Sequence, residues 1–168
     1  TLKTRPWTVA VEGEVRKRIG QYVYSASPGE SYEAVIVQRL QAANVTVAIS
    51  ENNTHGTLAD RLRKAVAGFD PVQSAVNDDA LAVDEAAVRQ AAQQLLASSG
   101  ATLALVLSGS SGADEGIWGS KNGETWVALA SSQGVVSSHV NFGGQDEYTL
   151  VRIGNGALAL LDEWSKGH

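Results

Sequence analysis

Two short polar segments of the sequence combine the residue types from which ligand sites are built. The first, from Glu51 to Gly56, offers a carboxylate, two amides, a hydroxyl and an imidazole. The second, from Ser108 to Gly116, contains three glycines and three serines, so a ligand could approach its backbone closely. Thr54 and His55 are the types of a nucleophile and its base, but neighbours at a helix start project in different directions. Asn and Thr are also common helix caps and turn formers, so the first segment fits both a cap and a site.

Each segment follows a predicted strand, which is where open α/β sheets bind their ligands. Val45 to Ser50 is rich in β-branched residues, and Thr102 to Leu107 is apolar enough for a central strand covered on both faces. An amphipathic segment from Thr57 to Ala67 follows the first loop, so the backbone amides of a helix start would face a ligand there. The residues predicted to bind a ligand are Glu51, Asn52, Thr54, His55, Gly56, Ser108, Gly109 and Gly112.

The rest of the chain alternates helices with strands and then ends in a hairpin and a helix. The pattern predicts further helices over 9–24, 28–43, 85–99 and 147–164, and further strands over 72–76, 125–131 and 135–142. Ser27, Pro28 and Glu30 would cap the helix over 28–43. This order predicts an α/β fold, a layered α/β/α sandwich with a mixed sheet. We expect a single domain over 27–168, preceded by a linker helix over 1–26.

Composition and charge exclude several classes of function. The chain has 168 residues, with 13 Lys and Arg against 18 Asp and Glu, so it has little cationic surface and we expect no nucleic-acid partner. No apolar run approaches the roughly 18 to 20 residues that cross a bilayer, so we expect no membrane span and a cytoplasmic location. The absence of cysteine excludes disulfides, thiolate metal sites and a cysteine nucleophile. His55, His139 and His168 show no short ligand spacing, so neither a metal site nor a cofactor is predicted.

Several runs of the sequence occur in an order that matches one known family. The loop from Ser108 to Asp114 stands where that family has Thr-Gly-Ile-Ala-Gly-Pro-Asp, and Trp126 and the run from Val127 to Ala130 follow at matching spacing. Phe142 to Gly144 precedes the closing helix as a Phe-Pro-Gly turn does there, and Val11 to Tyr24 is similar to the helix that leads into the domain in longer members. In these features the chain resembles the CinA family, whose C-terminal domain includes the nicotinamide-mononucleotide amidohydrolases.

The same resemblance implies that the family's nucleophile is missing. Members that hydrolyse the nicotinamide amide carry Glu-Ser-(small residue)-Thr-Gly-Gly after the first strand, with the serine as nucleophile. Glu51, Thr54 and Gly56 match this motif, but Asn52 stands at the serine and His55 at the first glycine. An amide side chain cannot form the acyl-enzyme that a hydroxyl forms.

The lysine that assists the serine in the family is also missing. It belongs to a Tyr-Ser-Asn-Glu-Ala-Lys stretch, and the corresponding region from Val72 to Ala80 is shorter, keeps only Asn77 and contains no lysine. Ser108 replaces a threonine and retains a hydroxyl, and Asn53 stands where the family often has a cysteine. The loss of both partners favours a domain that is inactive in the family reaction.

Three functions follow as hypotheses. The first is a catalytically inactive relative of the mononucleotide amidohydrolases that keeps a pocket for a nicotinamide nucleotide and acts as a binding or assembly module. The second is an active nicotinamide-nucleotide amidohydrolase with a rearranged site that uses Ser108, Thr54 or a water held by Glu51. The third is a purely structural subunit of a homo-oligomer or a larger assembly.

Apolar and aromatic residues supply the argument for an assembly. The helix predicted over 28–43 has too many apolar residues for one exposed stripe, and Trp7, Trp118 and Trp164 are of a type enriched at interfaces. His139, in a predicted strand, is expected at the surface or in such an interface. A homo-oligomer is therefore the expected protein partner.

Overall fold

Five helices and five strands build the part of the chain that the structure describes. This computed structural model describes residues 6–19, 25, 27–110, 123–141, 143–144 and 146–167. The helices are α1 (Pro6–Ile19), α2 (Tyr32–Ala42), α3 (Thr57–Lys64), α4 (Glu85–Ser99) and α5 (Glu147–Lys166). The strands are β1 (Val47–Glu51), β2 (Val72–Asn77), β3 (Leu103–Gly109), β4 (Thr125–Ser131) and β5 (Gly134–Val140). None of the described helices is long and apolar enough to span a membrane.

The strands form one mixed sheet in the order β2-β1-β3-β4-β5. Strand β1 pairs in parallel with β2 and β3, because α3 and α4 carry the chain back across the sheet. The pairs β3-β4 and β4-β5 are antiparallel, and the short connection between β4 and β5 closes the predicted hairpin. The register places Ser108, Trp126 and His139 directly opposite one another across β3, β4 and β5.

Alternating side chains of the sheet face two separate cores. Leu103, Leu105 and Leu107 of β3 face the larger core, which α2, α3 and α5 cover. Ala104 and Val106 face a smaller core under α4. Helices on both faces of a mixed sheet confirm the predicted α/β/α sandwich.

The start of α2 differs from the prediction. The helix is capped by the hydroxyl of Ser31 rather than by Ser27. Gly29 has a φ of +82°, a left-handed conformation that places a turn where the sequence predicted the first helical turn. Glu30 accepts a hydrogen bond from the Ser25 hydroxyl instead of closing a capping box. The predicted cap at Ser27 is therefore wrong, because the glycine turn delays the helix by one turn.

The apolar residues of α2 are used within the chain itself. Its most apolar side chains are all buried: Val35, Ile36, Val37 and Leu40. They belong to the larger core, where α2 contacts α3 and α5, and Trp164 packs against the same core. These residues therefore no longer supply an argument for an interface. Trp118 and the side chain of Trp7 lie outside the described residues.

Residues 10–18 of helix α1 belong to neither core. Every residue from 10 to 18 is exposed, including Val11 at 55% and Val15 at 43%. Its described portion begins at Pro6 and ends at Ile19, and residues 20–24 of the predicted helix lie outside the described part of the chain. The division into a linker helix and a domain at residue 26 stays a prediction.

Candidate functional site

The carboxylate of Glu51 caps helix α3 from inside the protein. Glu51 ends β1 and is only 1% exposed. One carboxylate oxygen accepts hydrogen bonds from the Thr54 hydroxyl at 2.6 Å and the Leu58 backbone nitrogen at 3.2 Å. The other accepts from the Ala59 backbone nitrogen at 3.0 Å. A carboxylate at this end of a helix is stabilised by the helix dipole and by the otherwise unpaired amides. Glu51 and Thr54 thus join β1 to α3.

The backbone between Asn52 and α3 is tightly turned. Asn53, His55 and Gly56 have φ values of 70°, 50° and 83°, all in the left-handed region. Asparagine tolerates this conformation better than most residues, and glycine adopts it freely. The Asn53 amide is buried and donates a hydrogen bond to the Gly144 carbonyl at 3.4 Å, which ties this loop to the turn before α5. Asn53 therefore has a structural role in this chain.

Asn52 and Ser108 meet directly where β1 and β3 end. The Asn52 Nδ2 donates hydrogen bonds to the Ser108 Oγ at 3.3 Å and to the Leu81 carbonyl at 3.0 Å. The Ser108 Oγ donates to the same carbonyl at 3.0 Å. The two predicted loops are thus joined through a triangle whose third corner, Leu81, comes from the connection between β2 and α4. Among the described residues, no imidazole, amine or carboxylate is hydrogen-bonded to Ser108.

The residues predicted to bind a ligand differ in their access to solvent. Those whose side chain or backbone is buried are Glu51, Thr54, Ser108 and Gly109. Asn52 and Gly56 are half-buried, and His55 is exposed. Gly112 lies outside the described residues. Direct contact with a ligand is thus expected from Asn52, His55 and Gly56, and ligand binding at this site stays a prediction.

A second group of side chains lies beside Ser108 and was not among the predicted site residues. The His139 Nε2 lies 3.0 Å from the Glu124 Oε2. The rings of His139 and Trp126 are stacked, with centroids 4.4 Å apart and an interplanar angle of 26°. Glu124, directly before β4, and Trp126 of β4 are two positions apart in the sequence, but only the hairpin register brings His139 to them. Across the described residues, no three His, Cys, Asp or Glu side chains converge as metal ligands would.

A separate groove of about 870 Å³ lies on the opposite face of the sheet, beside α2, α3 and α5. Its polar walls are formed largely by charges that pair between or within the helices. Asp162 of α5 lies 2.5 Å from an Arg39 nitrogen and 2.6 Å from Lys166 Nζ, and Arg61 is paired with Glu33. These ion pairs join the helices to one another. The polar walls of the groove therefore have a structural explanation that involves no ligand.

Tyr32 in this groove gives a test of the helix packing. Burial and the neighbouring Asp162 carboxylate raise the pKa of Tyr32 to about 12. The folded state then favours the neutral phenol. The stabilisation that Tyr32 contributes to the folded state is therefore complete below about pH 10 and declines as the pH rises towards 12. In an absorbance titration of tyrosinate, we expect a late step that Tyr32→Phe removes and that Tyr148→Phe, at an exposed position, leaves in place. A late step that persists in Tyr32→Phe would contradict this assignment.

Known proteins of one family are similar to this chain in sequence and in fold. Residues 69–164 match the family model described as the CinA C-terminal domain. A "CinA-like protein" of Desulfosudis oleivorans is 30% identical over an alignment of 144 residues, and the match covers 75% of this chain and 35% of that protein. The chain thus spans about a third of the length of this relative.

Solved structures from two bacteria share the architecture. A competence-damaged protein (CinA) superfamily member from Klebsiella pneumoniae superimposes with a TM-score of 0.69 at 22% identity, covering 82% of this chain and 97% of that one. A member of the same superfamily from Escherichia coli has a TM-score of 0.67 at 20% identity, covering 87% of this chain and 98% of that one. These two likenesses establish a common fold.

Proposed function

Because the chain belongs to the CinA C-terminal domain family, we propose that it binds a nicotinamide nucleotide, or a close relative of one, without hydrolysing it. The observation that carries this proposal is the hydrogen-bonded triangle of Asn52, Ser108 and the Leu81 carbonyl. Asn52 stands at the position that the family resemblance gives to the nucleophilic serine. Its amide can donate and accept hydrogen bonds, but it cannot attack a carbonyl carbon.

The remaining groups of the site do not replace the missing pair. Ser108 donates its hydroxyl proton to a backbone carbonyl, which is not a base that could activate it. The Glu51 carboxylate already accepts three hydrogen bonds, so it is poorly placed to hold and deprotonate a water. Thr54 donates its hydroxyl proton to that carboxylate inside the protein.

The described lysines are all engaged with carboxylates on helices. They form the pairs Lys17 with Glu14, Lys64 with Asp60, and Lys166 with Asp162. None of them is hydrogen-bonded to Ser108, so none acts as the lysine that assists the nucleophile in the family. This distribution supports an inactive site.

The same loops keep the features of a binding site. Asn53 holds the first loop against the turn before α5 through its hydrogen bond to Gly144, so the backbone next to Asn52 is held in place. Half-buried Asn52 and exposed His55 offer amide and imidazole groups to a ligand at the carboxyl ends of β1 and β3. A ligand amide could exchange hydrogen bonds with Asn52 in place of those it makes with Leu81 and Ser108.

Hydrolysis is tested by incubating the purified protein with nicotinamide mononucleotide and measuring ammonia. We expect no release above the blank. Asn52→Ser is expected to release none either, because that substitution supplies a hydroxyl but no base. Turnover by the unmodified protein that Ser108→Ala abolishes would show that the site is active after all.

Binding is tested by calorimetry with the mononucleotide and its acid product. We expect saturable heat, and a loss of about tenfold in affinity in Asn52→Leu, which is close in size but lacks the amide; one buried hydrogen bond is worth about that much. Gln93→Ala, at an exposed position on α4, serves as the matched control. An absence of heat with the unmodified protein, together with a stable oligomer in light scattering, would instead favour the structural subunit.

A further inference from the structure

His139 is held in one orientation on the edge strand β5. Its ring stacks on Trp126, and its Nε2 lies 3.0 Å from the Glu124 carboxylate. Because a carboxylate accepts but does not donate, Nε2 must carry the proton of this hydrogen bond. The histidine side chain is still 31% exposed, so the imidazole is both oriented and reachable from solvent.

His139 lies on the same face of the sheet as the Asn52 and Ser108 site. Ser108, Trp126 and His139 are directly paired across three neighbouring strands, so their side chains point to one face. Two interstrand spacings separate Ser108 from His139, which is about 9.6 Å. A ligand that is anchored at Asn52 and extends along this row would bring its far end to the imidazole. In a mononucleotide the ribose separates the base from the phosphate, so the far end is an anion.

Charged groups approach His139 from the residue before β4 and from α4. Glu124, directly before β4, contacts the ring. Ser137 lies two residues before His139. Its hydroxyl donates a hydrogen bond to the Glu85 carboxylate of α4 at 2.6 Å and accepts one from Arg89 of the same helix at 2.9 Å. Glu124 and Glu85 place negative charges near the imidazole, and Arg89 places a positive charge there. An imidazolium has two donors, so with Nε2 engaged by Glu124 its Nδ1 can donate to a ligand anion.

We propose that His139 binds the phosphate group of the mononucleotide and takes up a proton when it does so. This inference rests on the proposed function and adds a residue that selects the phosphorylated ligand. Glu124 is a positioning residue, since it acts by holding the imidazole through its Nε2. Histidine is the side chain whose charge changes most readily near neutral pH, so anion binding and proton uptake are linked at this position.

The test compares nicotinamide mononucleotide with nicotinamide riboside, which lacks the phosphate. Calorimetry near neutral pH in two buffers of different ionisation enthalpy measures the protons taken up on binding. We expect uptake with the mononucleotide and none with the riboside. In His139→Gln, uptake disappears and the mononucleotide binds about tenfold more weakly, whereas riboside affinity changes less than about twofold.

Two further variants keep the result interpretable. Glu124→Gln preserves the shape of the cluster but removes the carboxylate that would pair with an imidazolium at His139, so the uptake should fall. Val136→Thr, an exposed position on the opposite face of β5, should change neither uptake nor affinity. If His139→Gln and Glu124→Gln retain full affinity and uptake, the inference is wrong while the proposed function stands. If the unmodified protein binds neither ligand, the proposed function fails and the inference fails with it.

Discussion

The Glu51→Ala variant is expected to lose about 3 kcal/mol of unfolding free energy, because hydrogen bonds to a buried charged group are each worth about 1.5 to 3 kcal/mol. The substitution leaves the Thr54 hydroxyl and the amides of Leu58 and Ala59 without their acceptor inside the protein. It also removes the negative charge from the start of α3. Urea unfolding followed by circular dichroism measures the change.

Two controls separate the loss of this cap from a general effect of mutation. Asp60→Ala removes a carboxylate from the exposed side of α3 and should change stability by less than about 0.5 kcal/mol. Glu51→Gln keeps one acceptor but turns an NH₂ group towards donors, so an intermediate loss is expected. A Glu51→Ala protein with full stability but no ligand binding would show that this carboxylate serves the ligand rather than the fold.

The Arg61→Ala variant is expected to lose about 2 to 3 kcal/mol, since it breaks a largely buried ion pair and its hydrogen bonds. Arg61 reaches from α3 to Glu33 of α2, and to the Val151 carbonyl and Asn155 side chain of α5. Gly154 permits this approach, because a Cβ there would collide with the guanidinium. Arg61 therefore joins three helices over the larger core.

A neighbouring arginine provides the matched control. Arg63 of the same helix lies 3.5 Å from Asp70, and both side chains are well exposed. Arg63→Ala should cost less than about 1 kcal/mol, as exposed ion pairs do. Equal losses in the two variants would argue against the proposed bridging role of Arg61.

The Arg61 pair also makes stability depend on pH. Burial alone would raise the pKa of Glu33, but hydrogen bonds from the backbone and from Arg61, with the attraction of its charge, outweigh burial and hold the pKa below its usual range. The stabilisation is therefore complete above the ordinary carboxyl range and is lost as the pH falls through the lowered pKa. Urea midpoints measured at decreasing pH should fall less steeply in Glu33→Gln than in the unmodified protein.

Local sequence signals found most elements because their reasons are local. Asp84 caps α4 by accepting a hydrogen bond from the Ala87 nitrogen at 2.8 Å, and Gly100 ends that helix with a φ of 69°. Both features can be read from residue types within a few positions. The start of α2 was missed for the same reason: Ser27 and Ser31 are equally good caps, and only the left-handed Gly29 between them decides which is used.

The candidate site was found only in part. The two loops were identified from their place after apolar strands, and the departure of Asn52 from the family motif was visible in the sequence. The sequence did not show that Glu51 is hydrogen-bonded to α3 or that Ser108 is hydrogen-bonded to Leu81. These partners lie up to 8 positions from Glu51 and 27 positions from Ser108 in the chain. Whether a polar residue is free for a ligand depends on such partners.

Residue types and their spacing determined the alternation of helices and strands and the layered fold, and the family resemblance predicted the loss of the serine and the lysine, since all of these depend on local preference or on chemical identity. Only the tertiary structure decided that Glu51 caps α3, that Arg61 joins α3 to α2 and α5, and that Glu124, Trp126 and His139 form one cluster beside Ser108. For the cluster beside Ser108, the physical reason is the register of β3, β4 and β5. A shift of one residue in the β4-β5 hairpin would turn His139 to the other face of the sheet, so the pairing of the two strands, and not the residue type of His139, decides where its side chain lies.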